Sequence, residues 1–147
     1  MFPPDQGTYI LILHLAAPTS LTIGKLGTFD LQAGYYAYVG SAFGAGGLRG
    51  RLKHHLAPIT RPHWHIDYLR QVAPLHEVWY TASPIVHEHP WAAHLQSLAG
   101  ATIPMPRFGA SDCTCPTHLV YFPTPPDFAA FCTAIDATPQ RWSVDEN

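Results

Sequence analysis

The sequence predicts an α+β fold, in which a small, twisted, mainly antiparallel sheet is flanked by helices. The side chains of residues 8–15 alternate between the two faces of a predicted strand and are rich in large apolar and β-branched types. Glycines interrupt a second strand-rich stretch between residues 24 and 34. Apolar positions at helical spacing follow from Leu48 onward. Early strands followed by helices interleaved with further strands support this fold class.

Length and composition indicate one globular domain over residues 1–147. The chain is 47% hydrophobic and 12% charged, which excludes a disordered segment. Its longest apolar run, residues 9–17, is interrupted by His14 and reaches about half of the ~20 residues that a membrane helix needs. We expect no membrane partner.

The N-terminus and the cysteines favour a cytoplasmic location. Residues 1–5 lack the basic and hydrophobic regions of a secretory signal. The chain has three cysteines, an odd number, and Cys113 and Cys115 are too close for an easy mutual disulfide. A reducing compartment suits this pattern.

Two tyrosine and glycine motifs mark the early strands. Residues 7–9 read Gly-Thr-Tyr and residues 38–40 read Tyr-Val-Gly. By the two-residue period of a strand, Tyr36, Tyr38 and Gly40 point to one face, which gives that surface two tyrosines.

A glycine-rich segment, residues 40–47, leads from the last early strand into a helix. Glycines allow backbone amides to approach a ligand closely, so a phosphate can be placed there. The spacing matches neither the P-loop nor the dinucleotide fingerprint.

The helix that follows has Leu48, Leu52 and Leu56 on its apolar stripe and ends near Pro58. At 100° per residue, Arg51 and His55 lie on the flank that can reach the sheet. Arg49 and Lys53 lie on the other flank and outward. An alternative is that Arg51 caps a carbonyl and that His55 only packs.

Further elements follow along the chain. A loop enters a short helix within residues 63–70, whose His-x-His spacing suits packing more than a metal. Residues 75–82 read as a strand, and Trp91, Leu95 and Leu98 define a helix whose N-terminal side carries Glu88. Glu88 is either a metal ligand or an ordinary first-turn acid. Residues 118–122 read as a strand and residues 125–137 as a closing helix.

Cys113, Cys115 and His118 suggest zinc as one interpretation. They supply three ligands, so the fourth has to come from elsewhere, such as His63 or His65. The alternative is a buried turn stabilised by Asp112.

Charge is concentrated although the net charge is -2. Five of the eight Lys and Arg residues lie in residues 49–70, beside one acid and four histidines. A phosphate-facing surface is expected there, and an ordinary solvated helix and loop is the alternative.

The order of these segments resembles the GIY-YIG nuclease superfamily. The segments are GTYILIL, YYAYVGSA, GGLRGRLKHHL, HWHIDYL, a helix that begins with Glu, and FGASDCTCPTHL. They are similar to an uncharacterised branch of that superfamily, over about residues 7–122. The resemblance implies a β-β-α-β-α core with an added C-terminal strand and helix. Some members of the branch are joined to DNA glycosylases of the endonuclease III type, which implies an association with DNA repair.

The resemblance also implies roles for individual residues. Tyr9 and Tyr38 correspond to the water-activating tyrosines, Arg51 to the arginine that faces the scissile phosphate, His55 to the residue one turn later, and Glu88 to the ligand of Mg²⁺ or Mn²⁺. The implied activity is metal-dependent endonucleolytic hydrolysis of DNA. A nearby cation and metal are expected to lower the tyrosine pKa values, and Tyr9, Tyr38 and His55 all stay candidates for the general base. Four further residues are candidate phosphate or DNA contacts: Gly40, Ser41, Arg49 and Lys53.

Three departures from the family pattern bear on this expectation. Thr8 replaces the middle Ile of the name motif, Ser41 stands where many repair members have Lys, and no separate DNA-binding domain is recognised. The last two imply weak intrinsic affinity for DNA or a repair partner that delivers substrate.

Two other functions are open. A non-catalytic module that binds nucleic acid or protein would depend more on Arg49 and Lys53 than on Tyr9 or Glu88. The other is a zinc-stabilised domain built on Cys113, Cys115 and His118.

Overall fold

A five-stranded antiparallel sheet forms the centre of the structure, a computed structural model that describes residues 2–108 and 117–144. Within these residues four helices flank the sheet, and a two-stranded hairpin stands apart from it. The elements in chain order are β1 (Gly7–Leu15), β2 (Thr19–Ile23), β3 (Gly27–Leu31), β4 (Gly34–Ala42), α1 (Gly47–Leu56), α2 (His65–Arg70), β5 (Leu75–Ala82), α3 (Glu88–Gln96), β6 (Leu119–Phe122), α4 (Phe128–Ile135) and β7 (Gln140–Ser143). The α+β class with a mainly antiparallel sheet is confirmed.

The strand order in the sheet is β6-β4-β1-β5-β7, so β1 lies at the centre. Both of its neighbours run antiparallel to it, with Tyr9 opposite Gly40 in β4 and opposite Tyr80 in β5. The separate hairpin is formed by β2 and β3. A central strand has helices over both of its faces, which explains why nearly all of β1 is buried and apolar.

Each face of the sheet packs against its own pair of helices. Tyr9, Leu11 and Leu13 point to one face, where they pack in a core that includes residues of α1 and α2. Ile10 and Ile12 point to the other face and pack in a core that includes residues of α3 and α4. Burial of each of these large side chains contributes about 1.5–3 kcal/mol. The predicted division of β4, with Tyr36 and Tyr38 on one face and Ala37 and Val39 on the other, is confirmed.

The predicted elements agree closely in the middle of the chain and less well at its end. The predicted strand at residues 75–82 coincides with β5, and the helix that begins with Glu88 is α3. The prediction that a helix closes the chain is wrong, because β7 follows α4 and pairs with β5. β7 is a four-residue edge strand, Gln-Arg-Trp-Ser, with too few apolar positions to show a period.

No helix within residues 2–108 and 117–144 has the length and apolar character needed to cross a membrane.

Candidate functional site

The two tyrosine and glycine motifs lie side by side at one end of the sheet. Gly7 of β1 is opposite Ala42 of β4, and Tyr9 is opposite Gly40. A Cβ atom added to Gly40 would collide with the ring of Tyr9, so the ring lies directly over this glycine. The glycine of the Tyr-Val-Gly motif is therefore required by close packing. Gly40 is buried inside β4, and its contact with phosphate stays a prediction.

The amides at the start of α1 are already bonded within the protein. Gly46 and Gly47 have φ values of 88° and 57°, which favour glycine and allow the chain to turn into the helix. The N–H groups of Leu48 and Arg49 donate to the carbonyl oxygens of Asp5 and Pro3, at 2.8 and 2.9 Å. The N–H groups of residues 47 and 50 donate to the carbonyl oxygens of residues 44 and 46, respectively. These four amides are therefore not free for a phosphate, and a phosphate contact with the preceding residues 40–46 stays a prediction.

Tyr9 and His55 form a buried pair between β1 and α1. The Tyr9 hydroxyl oxygen lies 2.8 Å from His55 Nε2, and the two residues are 1% and 0% exposed. Burial lowers the pKa of His55 to about 3, and the charges of His54 and Arg70 act in the same direction. His55 is therefore neutral near pH 7. Its other nitrogen, Nδ1, is buried without a hydrogen-bond partner in the described part of the chain.

The two tyrosines have pKa values above the usual range of a phenol. Burial is the largest cause for both Tyr9 and Tyr38. The charge of Arg51 lowers both pKa values but does not offset the effect of burial. The expectation that these pKa values are lowered is wrong for the chain alone, and both phenols are neutral near pH 7.

Arg51 and Glu88 meet through Ser41. Arg51 Nη1 donates to the backbone oxygen of Ser41 at 3.0 Å, and the Ser41 hydroxyl donates to Glu88 Oε1. The other carboxylate oxygen of Glu88 lies 3.2 Å from His118 Nδ1. The guanidinium of Arg51 also lies 4.7 Å from the centre of the Trp64 ring. These contacts join α1, β4, α3 and the residue before β6 at one end of the sheet.

Thr8 holds the beginning of α3, a role that the sequence analysis missed. Its buried hydroxyl oxygen accepts a hydrogen bond from the N–H of His87 at 3.2 Å. Thr8 is the cross-strand partner of Ser41, so neighbouring side chains contact the consecutive residues His87 and Glu88. The available signal was a polar residue near the start of a mainly apolar strand.

The outward face of α1 carries Arg49 and Lys53, both exposed as predicted. Arg49 Nε donates to the carbonyl of Phe2 at 2.9 Å, which leaves the rest of its guanidinium at the surface. Next to this face is a cleft of about 220 Å³, whose walls include glycines before and within α1, together with Arg51, His54 and Trp64. The cleft gives Arg51 access to solvent.

Glu88 suits a hard divalent cation. Its side chain is 20% exposed, and within the described residues each carboxylate oxygen has one polar contact, which leaves further lone pairs. Mg²⁺ commonly uses one or two carboxylates and keeps several waters. The donor set therefore fits Mg²⁺ or Mn²⁺.

The predicted zinc ligands Cys113 and Cys115 lie outside the described residues. His118 contacts Glu88, while His63 and His65 pack against the rings of Trp64 and Phe108.

The described residues contain another cluster with metal-binding potential, formed by His54, His55 and Asp67. The sequence analysis missed this cluster. Its signal was the adjacent histidines of α1 followed by the acid of HWHIDYL.

Comparison with known proteins gives one match. The family model described as "Domain of unknown function DUF123" matches residues 8–139. No curated protein and no solved structure matches the chain. The matched range includes Tyr9, Tyr38, Arg51, His55 and Glu88.

Proposed function

We propose that this chain, which belongs to the family described as domain of unknown function DUF123, is a metal-dependent endonuclease that hydrolyses phosphodiester bonds in DNA. One observation carries the proposal. Tyr9, Arg51, His55 and Glu88 come from three elements and are up to 79 positions apart, yet they converge on one end of the sheet. Their chemistry provides a phosphate-binding cation, a proton acceptor and a carboxylate for a metal.

Arg51 is the proposed phosphate ligand. One nitrogen of its guanidinium bonds the backbone of Ser41, and the group lines a cleft that is open to solvent. A guanidinium has five N–H donors in a fixed plane, so donors remain for the oxygens of a phosphodiester. Its positive charge stabilises the negative charge that builds on those oxygens during hydrolysis.

The pair of Tyr9 and His55 is the proposed proton path. His55 is neutral, so it has a ring nitrogen that can accept a proton, whereas the raised pKa of Tyr9 opposes a phenolate as the base. A bound phosphate adds negative charge, which raises the pKa of both groups and so favours protonated His55 over ionised Tyr9. We therefore assign Tyr9 to conveying the proton of the attacking water and His55 to accepting it.

Glu88 is the residue that would hold Mg²⁺ or Mn²⁺, with Ser41 and His118 fixing the orientation of its carboxylate. A divalent cation supplies positive charge beside the reacting phosphate.

The charge of the chain favours a partner that brings the DNA. The net charge is -2, so long-range attraction to DNA is weak. A repair protein that delivers the substrate would supply the missing affinity. We place this activity in the cytoplasm, where the three cysteines would stay reduced.

Two arginines of the same helix provide a matched test. Arg51→Ala and Arg49→Ala each remove one charge from α1, but Arg51 faces the site and Arg49 faces solvent. We expect Arg51→Ala to lower kcat for cleavage of an oligonucleotide by about 100- to 1000-fold, the usual loss for a group that stabilises developing charge. Arg49 is an exposed candidate DNA contact on the outward face, so Arg49→Ala should raise KM and leave kcat within about threefold of wild type. Equal loss in both variants would contradict the assignment of Arg51.

A non-catalytic binding module is the second candidate. Both oxygens of Glu88 are already bonded within the protein, while Arg49 and Lys53 are exposed on one helix face. This function predicts DNA binding in EDTA that weakens when Arg49 or Lys53 is changed to alanine, with no turnover when a metal is added. Fluorescence anisotropy and cleavage assays on the same labelled DNA separate the two functions.

A further inference from the structure

We propose that His54, His55 and Asp67 form a binding site for a transition-metal ion such as Zn²⁺, separate from Glu88. Each of these residues can offer one ligand atom, and those atoms all lie within 4.8 Å of one another. The two histidines end α1, and Asp67 lies in the first turn of α2. The site thus joins two helices on one face of the sheet.

The distance between His54 and Asp67 suits a shared ion. His54 Nε2 lies 3.3 Å from Asp67 Oδ1. Two ligand atoms at this separation, each about 2.1 Å from zinc, subtend an angle of about 104°, close to tetrahedral. The His54 side chain is 44% exposed, so it has room to adjust its distances to the two buried ligands.

The carboxylate of Asp67 is held in place for this role. Its other oxygen accepts hydrogen bonds from the N–H groups of His63 and Trp64, at 2.8 and 3.0 Å. Burial alone would raise the pKa of Asp67, but these bonds outweigh it and the pKa is lowered. Orientation of a ligand by such outer bonds is typical of protein metal sites.

His55 is the residue that a simple His54–Asp67 ion pair leaves unexplained. It is 0% exposed and bonds only Tyr9, through Nε2, while Nδ1 is buried without a hydrogen-bond partner in the described residues. A buried polar atom without a partner is costly, and a neutral imidazole has a lone pair that a metal can take. A metal ion within the cluster would coordinate a ring nitrogen of His55.

The ligand set selects the type of ion. Two imidazole nitrogens and one carboxylate oxygen suit Zn²⁺ and Co²⁺, whereas Mg²⁺ prefers oxygen ligands alone. Zn²⁺ at this cluster and Mg²⁺ at Glu88 would therefore occupy different places.

One consequence rests on the proposed nuclease function, because His55 belongs to both sites. If the metal binds Nδ1, Nε2 of the neutral ring carries the proton; if it binds Nε2, that atom is occupied. In either case His55 no longer accepts a proton from Tyr9. Zn²⁺ should then inhibit cleavage that Mg²⁺ supports.

Binding of Co²⁺ and Zn²⁺ to the full chain, after removal of metals with a chelator, tests the site without DNA. We expect one ion per chain for wild type, with a Co²⁺ absorption spectrum that lacks thiolate-to-metal bands. His54→Ala should weaken binding at least about tenfold, since loss of even an outer-shell partner commonly costs 10- to 100-fold. His94→Ala, which removes a histidine from the last turn of α3, is the control and should bind as wild type does.

Equal affinity in wild type and His54→Ala would overturn the proposal, as would thiolate bands, which would place the ion at cysteines. Asp67→Asn gives a second test that preserves the shape of the side chain, with folding checked by circular dichroism. It should also weaken binding at least about tenfold, and wild-type affinity in folded Asp67→Asn would refute a role for the carboxylate.

Cleavage assays separate this proposal from the proposed function. Zn²⁺ should inhibit Mg²⁺-supported cleavage by wild type and have at least about tenfold less effect on His54→Ala. If wild type binds Co²⁺ as expected but cuts no DNA, the metal site stands and the nuclease function fails. If wild type cuts DNA and His54→Ala binds Co²⁺ as tightly as wild type, the nuclease function stands and this metal site fails.

Discussion

Replacement of Tyr9 with phenylalanine tests the buried pair on which the site depends. The change removes one hydroxyl group and leaves the ring over Gly40. Because Tyr9 and His55 are 1% and 0% exposed, water has little access to replace the lost hydrogen bond of 2.8 Å. His55 then has two ring nitrogens without a bond in the described part of the chain.

The expected loss of stability follows from this burial. A buried polar group left without its partner costs about 1–3 kcal/mol. For a chain of this size, each kcal/mol lowers Tm by roughly 3 °C, so Tm should fall by roughly 3–9 °C. If the proposed function is right, kcat for DNA cleavage should also fall by about 100-fold or more.

Thermal and urea unfolding, followed by circular dichroism, measure the change in stability. Tyr80→Phe is the matched control. Tyr80 lies on β5, the strand next to β1, and its half-buried ring packs against Phe2, so this change also removes one tyrosine hydroxyl. Equal stability of Tyr9→Phe and Tyr80→Phe would refute the argument that the bond to His55 is buried and stabilising.

Three further changes test the packing and electrostatics of the site. Gly40→Ala places a methyl group against the Tyr9 ring and should cost about 1–3 kcal/mol in urea unfolding; unchanged stability would mean that the ring does not lie there. The pKa of His55 is about 3 in the folded chain, against 6.5 for an unperturbed histidine. Below pH 6.5 the unfolded chain therefore binds a proton that the folded chain does not. The free energy of unfolding consequently falls as the pH falls from 6.5 toward 3. Between pH 7 and pH 4.5 the wild type should lose about 2 kcal/mol more than His55→Gln, and parallel losses would show that His55 is not buried in its neutral form. Thr8→Val leaves the N–H of His87 without its acceptor and should cost about 1 kcal/mol of unfolding free energy, whereas equal or greater stability would show that this bond does not hold α3.

The sequence was most informative where apolar side chains form long runs. β1 is the central strand, so its apolar content marks it clearly, and β5 beside it has an apolar centre at residues 78–80. The faces of β4 and the inward direction of Arg51 follow from the periods of a strand and a helix. β7 has no such signal, because a short polar edge strand depends on pairing with β5.

Features of the site that depend on distant segments were not predictable. The amides of Leu48 and Arg49 are occupied by carbonyl groups more than 40 positions earlier in the chain, and no local pattern indicates such a contact. The direction of the tyrosine pKa shifts depends on burial by several elements together, whereas the sequence suggested only the nearby cation. The role of Thr8 likewise requires that α3 begins beside β1.

Cleavage of DNA by wild type and Glu88→Gln tests the central claim most directly. The substrates are supercoiled plasmid and flapped, branched and single-stranded oligonucleotides, each with Mg²⁺ or Mn²⁺. Glutamine keeps the size of the side chain and removes its charge, so the proposed function predicts cutting by wild type and a loss of about 100-fold or more in the variant. Equal cutting by both proteins, or no cutting of any substrate by folded wild type, would contradict it.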